Sequence, residues 1–341
     1  MSELRDYRAV LHVHTVYSKR RRVTPAVVAA AQEARVDVLL ITDHNSLALR
    51  RDGWQRWHGS TLVLVGDEVS PVGRGHVLAL GLEDTGGMRY LPEPAYLRHI
   101  ARQGGLAILA HPYGKADIGR GTTSSPWIHW QDPHYSALEI WTYMHDWIEG
   151  LRWWQWPGAC LRPHRRIRGP DRRLLRLWDQ LLRERNVTGV AALDAHAVQV
   201  LVGKLGVFPY GDLFRSTLTH LLAPPLSGEA DRDERTVLEA IRLGRAYMAF
   251  EIPAPVDTFT FVAERASERW LPISRLPAGA KTTLLVETPG PAEIRLVHDS
   301  SVRESTTSKE ASWQVAEPGV YRVEVYLNQR PWIFSNPICL T

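Results

Sequence analysis

Two imidazoles stand one residue apart in LHVHTVYSKRR, residues 11–21, at the end of an apolar run and just ahead of a cluster of positive charge. Comparable residues close other apolar runs. Asp43 and His44 end VDVLLITDH, Glu68 falls in TLVLVGDEVS, His111 follows GLAILA, and Asp194 and His196 end VTGVAALDAH. Imidazole and carboxylate are donors that Zn, Mn, Fe and Mg accept, and a two-ion site needs several of them with at least one carboxylate able to bridge. In an extended strand His12 and His14 point to one side, because alternate side chains share a face, so both could bind one ion. Asp194 and His196 repeat that spacing. A lone strand histidine is more often a satisfied core or surface group. The recurrence at one strand end after another is what points to metal. His58, His99, His129, His134 and His164 follow no such pattern and are read as ordinary histidines.

The elements that must carry these residues are short runs rich in Val, Ile and Leu, such as YRAVLHVHT, GHVLALG and ALEIWT, which read as buried strands. Helical stretches such as TPAVVAAAQEAR and RRLLRLWDQLLRERN lie between several of them. The alternation predicts an α/β fold with a mostly parallel sheet, able to close into a barrel, whose strand C-termini converge on one face. After about residue 255, strand-like runs follow one another without helices, so residues 253–341 read as a small C-terminal all-β sandwich. Residues 1–252 then form the α/β domain, with a Trp/Arg-rich insertion around 146–173.

The 341 residues are 44% hydrophobic, which supports a sizeable core. Cys160 and Cys339 lie far apart, so neither a disulfide framework nor a cysteine zinc site is indicated. The N-terminus has no secretion-signal pattern, and no apolar run is long enough to span a bilayer. A cytoplasmic protein without membrane insertion is the expectation, and its oligomeric state is not readable. Net charge is +4, a mild excess whose distribution matters more than its size.

With HVHTVYS, ITDHNS, GDEVS, AHPYG and ALDAH in order, the first two-thirds of the chain resembles the PHP (polymerase and histidinol phosphatase) superfamily of metal-dependent phosphoesterases. GHVLALG, EIW, RLWDQLL, PYGDLF and RPWIFSNPICL extend the likeness to its carbaryl-hydrolase-like branch. The resemblance implies a distorted seven-stranded (β/α) barrel with two or three divalent ions in a cleft at the strand C-termini: Zn, Mn or Fe, with Mg admissible. It implies that His12, His14, Glu68 and Asp194 hold a first ion and that Glu68 bridges to a second, bound also by His111. His44 and His196 would serve a third position. The remaining ligand of the second ion falls shortly after ALEIWT, where His145 is the best candidate and Thr142 the alternative. Asp43 would orient an imidazole, and His76 would line the cleft or face a helix.

The chain departs from the family where relatives follow HxHTxxS with an aspartate that binds the third ion. Lys19 stands there, followed by three arginines. A protonated lysine has no lone pair, so the third position is expected to be weak or empty. The positive charge either holds a substrate phosphate or is solvated loop charge. The expected chemistry is phosphate mono- or diester hydrolysis by a hydroxide held between two ions, with His196 or His44 protonating the leaving oxygen. The alternatives are hydrolysis of carbamate or carboxylic esters, and a non-catalytic barrel that serves binding. Expected substrates are small-molecule or nucleotide phosphate esters. Trp147, Trp153, Trp154 and Trp156 among the arginines of the insertion would either stack nucleic-acid bases or pack on the barrel while the arginines face water.

Overall fold

The computed structural model describes residues 4–17, 21–114, 124–196, 198–199, 206–266 and 268–341. Of Val16, Tyr17, Arg21, Arg22, Val198, Gln199, Gly206 and Val207 it describes the backbone alone. Strands β1 (Arg5–Val13), β2 (Val38–Ile41) and β3 (Thr61–Val65) pair in parallel, with the helix α1 (Thr24–Glu33) between the first two. Only Gly66 separates β3 from β4 (Asp67–Val69), which opens a second sheet. A Cβ on Gly66 would sit 2.3 Å from Leu80 Cδ2 and 2.7 Å from the Ala79 carbonyl. Glycine lets the chain pass from one sheet to the next at that crossing.

The second sheet runs from β4 through β5 (His76–Leu80), β6 (Leu106–Ala110) and β7 (Ala137–Thr142) to β8 (Thr188–Ala192). β6, β7 and β8 are parallel, while β4, β5 and β6 alternate in direction. Helices α2 (Glu93–Arg102), α3 (Tyr143–Ile148), α4 (Trp156–Leu161) and α5 (Arg172–Glu184) fall between or after these strands. The strands are buried on both faces, which explains their unbroken apolar sequence. Leu11, Leu40, Leu64, Leu78, Ile108 and Val190 from both sheets form one cluster, and their neighbours Val10, Leu39, Val63, Val77 and Leu109 belong to another.

β9 (Thr217–Ala223) and β10 (Ala246–Phe250), joined through α6 (Ala230–Arg242), extend the first sheet beside β1 with antiparallel pairing. The longer strands of the C-terminal region are β11 (Thr260–Arg265), β12 (Thr282–His298), β13 (Ser301–Val315), β14 (Gly319–Leu327) and β15 (Arg330–Ser335). They enclose an apolar cluster that includes Phe261, Leu284, Trp313, Val323 and Ile333. β15 pairs with β10 at Tyr247↔Ser335 and Ala249↔Ile333, so one sheet runs across the segment 252–257. Buried Arg322 pairs with Asp179 of α5 at 3.0 Å, and the Asn336 side chain bonds both backbone groups of Gly189.

A charged network lies near the N-terminal end of β1. Buried His220 places Nδ1 2.8 Å from Asp6 and Nε2 3.1 Å from Glu251, Tyr247 hydroxyl lies 2.9 Å from Nδ1, and Arg8 pairs with Glu251 at 2.6 Å. Burial lowers the His220 pKa, but the Asp6 and Glu251 carboxylates outweigh it and push it up to about 9 from 6.5. A pKa raised in the folded state stabilises fully below the unfolded value near 6.5 and ceases to do so as pH rises through about 9. His220→Gln should therefore cost roughly 3 kcal/mol at acidic pH and much less above the folded pKa. Urea unfolding of both proteins on either side of that window checks this; an equal loss at both pH values would contradict it.

Candidate metal centre

The backbone bends sharply at three of the candidate ligands. His12, His111 and Asp194 have positive φ of 63°, 28° and 53°, and Asn45, beside His44, has 50°. Such conformations cost roughly 1 kcal/mol or more each for residues with a Cβ, so the surroundings must hold them. Ala195 N donates to His12 O, His14 N to Ala195 O, and Tyr210 hydroxyl to His14 O. His12 and His14 thus reach one place through an irregularity of β1, whose register to β2 shifts between Val10 and Val13. The plain strand alternation expected from sequence is not how it is done.

Two carboxylates lie at the centre. Glu68 Oε2 is 3.5 Å from His12 Nε2, 3.3 Å from His14 Nε2 and 2.7 Å from His44 Nδ1, while Oε1 is 3.2 Å from His111 Nε2 and 2.9 Å from His76 Nδ1. Asp194 Oδ1 is 3.4 Å from His12 Nε2 and 3.3 Å from His14 Nε2, and its Oδ2 is 3.3 Å from His145 Nε2. Each carboxylate spans the cluster. Among the described residues, ligand atoms within 4.8 Å of one another form four trios: His12, His14 and Asp194; His12, Glu68 and His111; His111, His145 and Asp194; and His14, His44 and His196. The side chains of His44 and His196 are 41% and 40% exposed, so these two members of the all-imidazole trio face the mouth while His14 lies beneath them.

The donor set fits divalent cations. His12 Nε2 and both ring nitrogens of His14 are buried without a hydrogen bond, a costly state that a cation would relieve. Burial works against the charge on Glu68, yet His44 and His12 hold its pKa well below the ordinary value. Burial likewise opposes the charge on Asp194, and His12, His14 and His145 overcome it. Burial together with His196 and His44 pushes the His14 pKa far down, which favours a neutral imidazole with one ring-nitrogen lone pair available. His145 is lowered by burial and by His111.

Glu139 was not anticipated. Fully buried in β7, it places Oε1 2.6 Å from His12 Nδ1, and its Oε2 accepts from His111 N and Thr142 hydroxyl, each at 2.8 Å. This fixes the imidazole so that Nε2 faces Glu68 and Asp194. The available signal was an acidic residue in the apolar run ALEIW, which burial obliges to find partners. Thr142 enters through this bond to Glu139. Asp43, expected to orient an imidazole, accepts from Thr15 N and Thr15 hydroxyl, both at 2.7 Å, and so fastens the turn after His14. His76 lies against Glu68 from the outside of the cluster. Lys19 and Arg20 lie outside the described residues, and of Arg21 and Arg22 the backbone alone is described. A cleft beside the cluster is lined by His111, Tyr113, His145, Asp171 and Leu174 among others.

No family model and no curated relative matches the chain. Solved structures similar to it include the following two. One is a two-domain protein from Bacteroides vulgatus containing a predicted PHP-like metal-dependent phosphoesterase, with 15% identity, TM-score 0.45, and coverage of 98% of this chain and 95% of that one. The other is PsfC from Pseudomonas syringae, with 14% identity, TM-score 0.44, and coverage of 73% and 93%.

Glu139→Gln keeps the shape of the side chain but removes the charge behind His12. It should weaken Zn or Mn binding about 10- to 100-fold, as read by competition with a chromogenic chelator. Unchanged affinity would show that Glu139 does not orient a ligand.

Proposed function

We propose that the chain is a metal-dependent phosphoesterase of the PHP type, with two ions held among His12, His14, Glu68, His111, His145 and Asp194. The observation that carries this reading is Glu68, whose two oxygens face different imidazole sets, His12 and His14 on one side and His111 on the other. Asp194 spans His12, His14 and His145 in the same manner. The scaffold is a closed seven-stranded barrel of β1, β2, the run of β3 and β4 that is interrupted only at Gly66, β5, β6, β7 and β8. Closure is supported at one seam by Leu193 N to Leu11 O at 3.0 Å and the Val13↔Ala195 bridge, and at the other by Gly66 N to Ile41 O at 2.8 Å and the His44↔Glu68 bridge.

Bound there, the ions would supply Lewis-acid stabilisation of phosphoryl oxygens and a water acidic enough to attack near neutral pH. The chain contributes the rest. Glu139 keeps the His12 lone pair turned inward, Asp43 holds Thr15 and the turn after His14, and Ser70 hydroxyl, 2.9 Å from His44 Nδ1, steadies a ring at the mouth. His44 and His196 are the exposed imidazoles placed to hand a proton to a departing oxygen. The cleft between Tyr113, His145 and Leu174 gives room for the group attached to that oxygen. Lys19 would add positive charge for the phosphate.

The Mn- or Zn-loaded protein should hydrolyse p-nitrophenyl phosphate or its bis ester, lose turnover to chelators, and fall at least about 100-fold with Glu68→Gln. Turnover of an aryl ester or carbamate with neither phosphate ester consumed would contradict the proposal. His196→Ala should slow an alkyl phosphate roughly 100-fold or more and barely affect p-nitrophenyl phosphate, whose leaving group needs no proton. Parallel steady-state assays read the difference, and equal effects on both substrates would remove His196 as the acid.

A further inference from the structure

The insertion after the metal cluster is fastened at its base and bare at its tip. Asp146 Oδ2 accepts from Gly169 N and Arg168 N at 3.0 Å, and Arg166 Nε donates to Trp147 O at 2.9 Å, which closes residues 146–169 into a loop. Trp147 and Ile167 are buried, and Trp147 packs edge-on against Phe208 and Trp156. The tip does the opposite: Trp153 is 79%, Trp154 55% and Leu161 82% exposed. So the tryptophans divide, and packing on the barrel accounts for only part of them.

The segment that carries this tip is strongly basic. Residues 152–176 carry eight arginines and one acidic residue, Asp171. Arg152, Arg162, Arg165, Arg168 and Arg176 are exposed, and none of them is paired with an acidic side chain among the described residues. We propose that Trp153, Trp154 and Leu161, together with the exposed arginines of this segment, dock the protein peripherally on an anionic phospholipid surface. Tryptophan and leucine settle at the boundary between headgroups and acyl chains, while arginines bind the lipid phosphates, each adding a favourable increment.

Two other occupants fit less well. A second copy of the chain would bring arginines against arginines, because a two-fold interface sets a patch against itself. Single-stranded nucleic acid needs open aromatic faces, but the Arg152 guanidinium lies 5.2 Å from the Trp154 ring centre, the Trp153 and Trp154 rings meet at 87°, and Leu161 has no face to stack. No described helix is long and apolar enough to cross a membrane, so the contact is adsorption. Asp146 and Gly169, at the base of the loop, line the same cleft as His145.

The test is co-sedimentation of the full chain with vesicles of phosphatidylcholine alone and with one third phosphatidylserine, beside anisotropy with an oligothymidylate. Trp153→Ser/Trp154→Ser/Leu161→Ser and Arg162→Glu/Arg165→Glu change only exposed side chains, and urea unfolding verifies that both still fold. Partitioning onto the anionic vesicles should exceed that onto neutral ones at least about tenfold, fall at least about tenfold in each variant, and weaken in about 1 M salt. No binding, equal binding to both vesicles, or wild-type binding by the triple variant overturns the proposal. Oligothymidylate binding that the triple variant loses, without vesicle binding, overturns it in favour of nucleic acid.

Discussion

The site depends on one buried carboxylate at a seam between two sheets. Glu68 has no solvent around it, and a charge in that position is tolerable only if hydrogen-bond donors or cations surround it. Its neighbours are imidazoles from His12, His14, His44, His76 and His111, contributed by separate strands and strand ends. The strands must converge for these rings to reach it, and Gly66 is the position where they can, because any side chain there would strike β5. Carboxylate, glycine crossing and imidazoles therefore belong to one arrangement.

That arrangement is held against local strain. His12, His111 and Asp194 each take a left-handed backbone. The compensation is visible as cross-strand hydrogen bonds from Leu193, Ala195 and His14, and as Glu139, which binds the side chain of His12 and the backbone of His111 together. Bent strand ends turn several donors toward one point, which straight strands would distribute over two faces. The charged network of His220, Asp6 and Glu251 lies near the other end of β1, where it serves stability and leaves the donors alone.

Much of this was legible in the sequence because ligand chemistry falls at the ends of apolar runs. His12, His14, Glu68, His111, His145 and Asp194 come together in space although they are spread over nearly two hundred residues. Glu139 was hidden because a single acidic residue inside ALEIW carries no spacing pattern, and its partner is 127 residues away. The backbone turn at His12 was hidden because no glycine marks it. The continuity of the sheet from β10 to β15 was hidden as well, since strand runs look alike whether they start a new sheet or join an old one. In the insertion, composition told of aromatics and arginines but not which of them face inward.

The central claim is that Glu68 joins two metal ions rather than balancing a set of protonated histidines. Electron paramagnetic resonance of the Mn-reconstituted protein tests it most directly. The account predicts the multiline spectrum of an exchange-coupled pair in the wild type, and isolated-ion signals once Glu68 is replaced by Gln. A wild-type protein that shows only isolated Mn, however much metal is added, would contradict it.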